Sequence, residues 1–281
     1  MTLKILNLQL IQELKECSFV ENPTMEARLI LSWLLKKSLS SFLLLSQEMC
    51  IDYEIEKSAV AAVNERKKGR SVAAILGFRD FYDLRFEVND NVLIPRPETE
   101  FLVEYVLNLN IDKKIRVLDV GAGSGTICVT VAKHKPTWDI EAVEVSNEAV
   151  EILKRNIEIN NVNVSVIEKD FFKFEPALSY DLILSNPPYI PTEDVTQLLK
   201  RHDADDPVLS LDGGADGLIF YRELKSFAEK FLEKDGLLIM EHGFDQKDAM
   251  HKIFDDTSFC VIETLKDYAG LDRITAVRKK V

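Results

Sequence analysis

The chain has 281 residues, 46% of them hydrophobic, and a formal net charge of −12. That is enough apolar material for one large or two modest domains with real cores, and it excludes a disordered or fibrous chain. The acidic balance argues against a protein that grips nucleic acid mainly through its phosphates, while leaving room for a local basic patch.

Residues 1 to about 75 carry apolar residues at helical spacing. ILNLQLIQELKECSF is a first helix. ENPTMEARLILSWLLKKSL opens with turn chemistry at Asn22-Pro23, and a stripe through Ala27, Ile30, Leu31, Leu34 and Leu35 follows. IDYEIEKSAVAAVNERKKGR is a third helix, ending near Gly69. A small all-α domain with a structural or substrate-docking role is expected. In GFRDFYDLRFEVNDNVLI, apolar and polar residues alternate around Asp90-Asn91, which predicts a β-hairpin linker over residues 76–94. PRPETE follows, with Pro97 suited to a helix start, and then a helix from about Glu100 to Leu109.

From Lys114 strands and helices alternate. KIRVLDV, DIEAVEVS, NVSVIEKD, YDLILS and LLIMEH read as strands. SGTICVTVAKH, NEAVEILKRNIEINN with Asn147 as its cap, and GLIFYRELKSFAEKFLEKDG stopped at Gly236 read as helices. The tail adds a helix from about Gln246 to Phe254 and two strands, SFCVIETL and RITAVRK. The expectation is an α/β domain over residues 95–281, a doubly wound parallel sheet with an antiparallel C-terminal edge.

Four cysteines, Cys17, Cys50, Cys128 and Cys260, are scattered without a CxxC pair, and four histidines show no ligand spacing. Neither a disulfide framework nor a metal site is expected. His242 reads as structural, and the acidic run HDADDP, residues 202–207, as a solvated loop or a cover for a site. The N-terminus has no signal-peptide pattern and no apolar stretch is long enough to span a bilayer, so a soluble cytoplasmic protein is expected.

Four features carry chemistry. VLDVGAGSG places a glycine turn (Gly121, Ala122, Gly123, Ser124, Gly125) between strand and helix, where a ligand can approach the backbone. Asp119, just before it, would repel a pyrophosphate and suit an ammonium group. Glu144, ending the next strand, can accept both hydroxyls of a ribose. Asp170-Phe171, after the third strand, can flank an adenine. Asn186-Pro187-Pro188-Tyr189 follows the fourth strand as a loop stiffened by two prolines. Each alone has an ordinary reading as a turn, a cap or a core residue. All four fall at C-terminal strand ends, where open α/β sheets bind ligands. Together they describe a nucleoside with a cationic amino-acid tail, S-adenosylmethionine.

VLDVGAGSG, the strand-two acid and a fourth-strand NPPY resemble class I (Rossmann-like) methyltransferases acting on a planar amide or amino nitrogen. LIPRPETE at 93–100, LDGGADGL at 211–218 and DYAGLDR at 267–273 narrow the resemblance to the release-factor glutamine methyltransferases, over nearly the whole chain. The resemblance implies N5-methylation of the glutamine in the GGQ loop of class 1 peptide-chain release factors. It implies S-adenosylmethionine as donor, S-adenosylhomocysteine as product, and no metal. A monomer without direct nucleic-acid or membrane contact is expected. Asn186 and the carbonyl of Pro187 would accept the two N–H bonds of the target amide, Pro188 lacks a competing donor, and Tyr189 would pack on the amide plane. Arg96 could reach cofactor or substrate. One departure is Asp206-Pro207 and Ser210-Leu211 where the family often has Glu-Pro and Ala-Leu. A ribosomal-protein glutamine methyltransferase, a nucleic-acid N6-adenine methyltransferase and a non-catalytic cofactor-binding protein are the alternatives.

Overall fold

The protein is described by a computed structural model covering residues 1–198 and 206–280. Two compact units are present: Met1–Phe78, and Arg79–Thr196 together with the chain from Asp206 onward. The acidic run at 202–205 lies outside the described residues.

The first unit contains five helices where the apolar pattern gave three: α1 Leu3–Lys15, α2 Pro23–Leu34, α3 Leu39–Leu43, α4 Tyr53–Lys67 and α5 Val72–Leu76. The two extra helices span five residues each, too short for a stripe to show. Their starts are nonetheless written in the sequence, because Ser38 and Ser71 accept the backbone N–H three residues on. Asn22 does the same for α2, accepting from Met25 N at 3.0 Å, with Pro23 in the first turn. Leu3, Leu6, Leu10 and Leu14 bury one face of α1 against Ala27, Ile30 and Leu31 of α2 and Ala59 and Val63 of α4. Buried Arg66 pairs with Glu26 at 2.8 Å, tying α4 to α2.

Two short strands follow, β1 Phe78–Phe81 and β2 Leu84–Glu87. The hairpin turns at Tyr82-Asp83, not at Asp90-Asn91. Tyr82 adopts a left-handed φ of 56°, and its N–H donates to Glu100 at 2.8 Å. Asn89 instead makes a local turn of its own by accepting from Asn91 N at 2.9 Å. Asn156, from the helix α8 Asn147–Asn160, accepts from Glu87 N at 2.6 Å and donates to Glu87 O at 3.0 Å. Asn160 donates to Arg85 O at 3.1 Å.

The main sheet has seven strands: β3 Arg116–Val120, β4 Asp139–Glu144, β5 Ser165–Glu168, β6 Tyr180–Ser185, β7 Leu232–Glu241, β8 Phe259–Lys266 and β9 Asp272–Lys279. Their order is β5-β4-β3-β6-β7-β9-β8. The first five are parallel, and β9 runs antiparallel to both β7 and β8. β3 and β6 are neighbours although two strands lie between them in sequence, so the order reverses between them and a crevice opens at their C-terminal ends. The remaining helices are α6 Thr99–Leu107, α7 Thr126–His134, α9 Thr192–Leu198, α10 Ile219–Phe231 and α11 Lys247–Phe254. A continuous core of Leu118, Val143, Ile183, Tyr221, Phe227, Leu238 and Phe254 joins the sheet to α10 and α11.

Two boundaries differ from the sequence reading. Ser146, not Asn147, caps α8, accepting from Ala149 N at 3.2 Å. Helix α10 ends at Phe231 rather than Gly236, because Leu232 already pairs with Tyr180 while Leu237 pairs with Leu182. The extra residues form a bulge containing Asp235 at φ 62°.

Candidate active site

Strand β3 ends in the glycine turn. Gly121, Gly123 and Gly125 all have positive φ, at 70°, 55° and 85°. A Cβ at either of the first two would meet open space, leaving their backbone accessible to a ligand. A Cβ on Gly125 would overlap Leu153 of α8, so this glycine serves helix packing. Three recesses meet at Gly121.

Glu144 faces the first of these recesses, with one oxygen accepting from Gly123 N at 2.8 Å and the other from Val145 N and Ser146 N at 2.9 Å. Backbone amides thus hold the carboxyl group in place while leaving lone pairs for a vicinal diol. Replacing Glu144 with alanine is expected to weaken S-adenosylmethionine binding about 10- to 100-fold, the scale of lost hydrogen bonds to a charged group. Calorimetric titration checks this, and an unchanged affinity would remove the ribose role.

A second recess is an apolar slot lined by Phe171, Phe172, Pro188, Leu209 and Phe220, with Asp170 at its edge. Phe172 and Phe220 meet edge to face, their ring centroids 5.1 Å apart. Asp170 also caps the turn it opens, accepting from Phe172 N at 3.0 Å, and a hydrogen bond from Lys173 holds its carboxyl below the usual range. Phe171 packs inward on Phe227 at 5.1 Å. The more exposed aromatic wall is therefore Phe172 with Phe220. Neither Leu209 nor Phe220 stands out in sequence, since each is brought in from beyond the NPPY loop.

Asp119 is placed differently from its expected role. It is 1% exposed and lies outside the lining of these recesses. One oxygen accepts from Cys128 N in the first turn of α7 at 3.0 Å, and the other is buried without a hydrogen-bond partner among the described residues. Burial, with the Glu144 charge nearby, pushes its pKa up to about 7.

Asn186 lines two of the recesses and directs its side-chain N–H to Thr99 Oγ1 at 3.1 Å. Its Oδ1 and the carbonyl of Pro187 accept no hydrogen bond among the described residues; Asn186 is half-buried, and Pro187 is buried and lines the apolar slot. Tyr189 instead packs against the core and is not part of the recess lining; its carbonyl accepts from Gln246 at 2.9 Å. The expected stacking of Tyr189 on a substrate amide is thus not prepared in this arrangement. LDGGADGL explains itself here. Ile190 N donates to Leu211 O at 3.0 Å, Gly213 N to Ile190 O at 2.8 Å and Thr192 N to Gly214 O at 3.0 Å. A Cβ on Gly213 would come within 2.9 Å of Pro188 O, and one on Gly217 would overlap Tyr189 O. These glycines let a second backbone press against NPPY and fix it.

Arg96 faces the recess beside Ser124 and Thr126 but is ion-paired with Asp206, which also accepts from Ile94 N at 3.0 Å. The Asp206 departure from the family pattern therefore forms an anchor. His242 is buried between Gly243 O and Thr275 Oγ1, at 2.8 and 2.9 Å, and burial lowers its pKa, in keeping with a structural role.

An apolar slot, a strand-end carboxylate and an open glycine turn, set at the switch point of a parallel sheet with an antiparallel edge, define a class I methyltransferase. The residues present fit its donor, S-adenosylmethionine, in kind: an apolar slot, a strand-end carboxylate and an open glycine backbone. The family model "Methyltransferase small domain" matches residues 97–202, and "PrmC N-terminal domain" matches residues 8–77. The release factor glutamine methyltransferase of Coxiella burnetii is 34% identical over 261 residues, 92% of this chain and 93% of that protein. Its counterpart in Neisseria gonorrhoeae is 38% identical over 256 residues, 90% and 92% of the two chains. The chain belongs to the release factor glutamine methyltransferase family. In fold it is similar to a methyltransferase from Pyrococcus furiosus, with a TM-score of 0.52 at 18% identity over 79% of this chain and 97% of that one.

Proposed function

We propose that the protein methylates the side-chain nitrogen N5 of the glutamine in the GGQ loop of class 1 peptide-chain release factors. The observation that carries this reading is Asn186, which lines two recesses at the glycine turn with an Oδ1 that accepts no hydrogen bond among the described residues, followed directly by Pro187, whose carbonyl likewise accepts none. A primary amide has two N–H bonds and a lone pair delocalised into its carbonyl, which makes it a poor nucleophile. Two fixed acceptors hold both N–H bonds and leave the lone pair directed at the donor. When bound, S-adenosylmethionine supplies a methyl on a cationic sulfur and leaves as S-adenosylhomocysteine. The new N–C bond makes the nitrogen transiently cationic, and Asn186 and Pro187 stabilise that charge through hydrogen bonds they already make. The surplus proton then passes to water. Positioning of this kind supplies up to about 7–11 kcal/mol in well-ordered systems.

The helical N-terminal unit leaves Leu43, Leu44 and Tyr53 exposed, apolar side chains suited to contact with a protein substrate. We assign the protein to the cytoplasm as a monomer; among the described residues no helix is long and apolar enough to cross a membrane. Incubating unmodified release factor with the protein and S-adenosylmethionine should add one methyl, mapped by mass spectrometry to the GGQ glutamine and lost when that glutamine is replaced. Intact cofactor binding without methyl gain would overturn the substrate and redirect the search to ribosomal proteins, then to adenine.

A further inference from the structure

The fifth residue of PRPETE, Thr99, opens α6 and is buried. Its hydroxyl donates to Glu241 Oε2 at 2.7 Å and accepts from the Asn186 side-chain nitrogen at 3.1 Å. Glu241 ends β7 and is 1% exposed. Burial is the largest influence on its carboxyl and favours the neutral form, as does Glu98; Thr99, the nearby charge of Arg273 and the Asn186 side chain favour the ionised form.

A side-chain amide can sit in either of two orientations related by a half-turn, with nearly equal shape and opposite hydrogen-bonding sense. An ionised Glu241 can only accept, so it claims the single hydroxyl proton of Thr99. The Thr99 oxygen is then left with lone pairs alone and must face a donor, the NH2 of Asn186. The amide oxygen is thereby turned to the cleft. In the reversed orientation, Asn186 Oδ1 would face the Thr99 lone pairs, and its NH2 would meet the NH2 of the substrate, donor to donor.

We infer that Thr99 and Glu241 are positioning residues that lock the Asn186 amide with its oxygen toward the substrate nitrogen. This rests on the reading of Asn186 as an acceptor for that nitrogen. The lock spans the start of α6, the end of β6 and the end of β7, so it is assembled only when the sheet and its flanking helix are complete.

The test compares Thr99→Val, nearly the same shape without the hydroxyl, with Thr99→Ser, which keeps it. Assays at about pH 8.5 keep Glu241, whose pKa is pushed up to about 7 by burial, ionised. Thr99→Val should lower kcat about 10- to 100-fold, the worth of hydrogen bonds to charged groups, with KM for release factor and Kd for S-adenosylmethionine unchanged. Thr99→Ser should stay within about threefold of the parent. In an Asn186→Ala background, Thr99→Val should cost little more, because the two changes remove one device. A Thr99→Val enzyme within twofold of the parent, a Thr99→Ser enzyme as slow as Thr99→Val, or fully additive losses would each overturn the inference. If Thr99→Val fails to fold, 15N NMR of the parent decides: one Asn186 side-chain proton should be protected from exchange, and free exchange of both would overturn it. An inactive parent, or an Asn186→Ala enzyme at full rate, would instead defeat the underlying substrate reading.

Discussion

Replacing Asn186 with alanine is expected to lower kcat by about 10²–10³, the range seen when one preorganised hydrogen-bonding group is removed from a reacting centre. Binding of S-adenosylmethionine should stay within about threefold. The separation follows from the geometry. The hydrogen bonds and stacking surfaces that would hold a nucleoside come from Glu144, Gly121, Gly123 and the Phe172–Phe220 slot, whereas Asn186 lines the same recess with its side-chain N–H engaged by Thr99. The loop itself should survive the change, because its backbone is fixed by Ile190 and the glycines of LDGGADGL. Single-turnover methyl transfer, paired with cofactor titration, measures both quantities. Equal loss of binding and turnover would mean that Asn186 acts through the cofactor; full turnover would mean that the acceptor pair is not used.

The second large effect concerns Asp119 and stability. Its folded pKa of about 7 lies above the ordinary carboxylate value of 3.8. Between about pH 4 and pH 7 the folded protein therefore holds a proton that the unfolded chain has released, and stability falls as pH rises through that window. Below it both states are protonated and the penalty is absent; above it the penalty is fully present. Each unit of such a shift is worth about 1.4 kcal/mol. Asp119→Asn removes the titration while its oxygen can still accept from Cys128 N, although its new NH2 must occupy the site of the unpartnered carboxylate oxygen. That misfit offsets the gain by about 1–3 kcal/mol at every pH. The variant should therefore gain on the parent by a few kcal/mol between about pH 5 and about pH 8. Urea unfolding at the two pH values gives the difference directly, and Glu241, which titrates in the same range, is present in both proteins and largely cancels. A difference independent of pH would show that Asp119 is not the group responsible.

The strands of the second unit were plain in the sequence because parallel strands buried on both faces are written as short apolar runs, as in VLDV and LILS. The places of Glu144 and Asn186 at strand ends are legible for the same reason, each being a polar residue that closes such a run. The hairpin turn was misplaced because Asp90-Asn91 has stronger turn chemistry than Tyr82-Asp83, and the side chain that favours the latter, Glu100, lies 18 residues away. Gly236 looked like a helix stop because a bulge and a helix end both use glycine. Asp119 read as a ligand contact because sequence gives strand position but not which way a carboxylate turns; here it turns to α7. The slot residues Leu209 and Phe220, and the bond from Thr99 to Glu241 across 142 positions, leave no local trace.

The side-chain amides of α8 have a consequence away from the cleft. A two-stranded sheet has free edges, and a free edge of backbone donors and acceptors is a template onto which another chain can add a strand. Asn156 meets Glu87 through both its N–H and its carbonyl, and Asn160 takes the carbonyl of Arg85, two residues along the same strand. The spacing of four along the helix is thereby matched to a spacing of two along the strand, and the helix counterfeits a neighbouring strand with side chains. The edge of this strand is thereby occupied within the chain, at the cost of making the hairpin's protection depend on a helix some seventy residues further along.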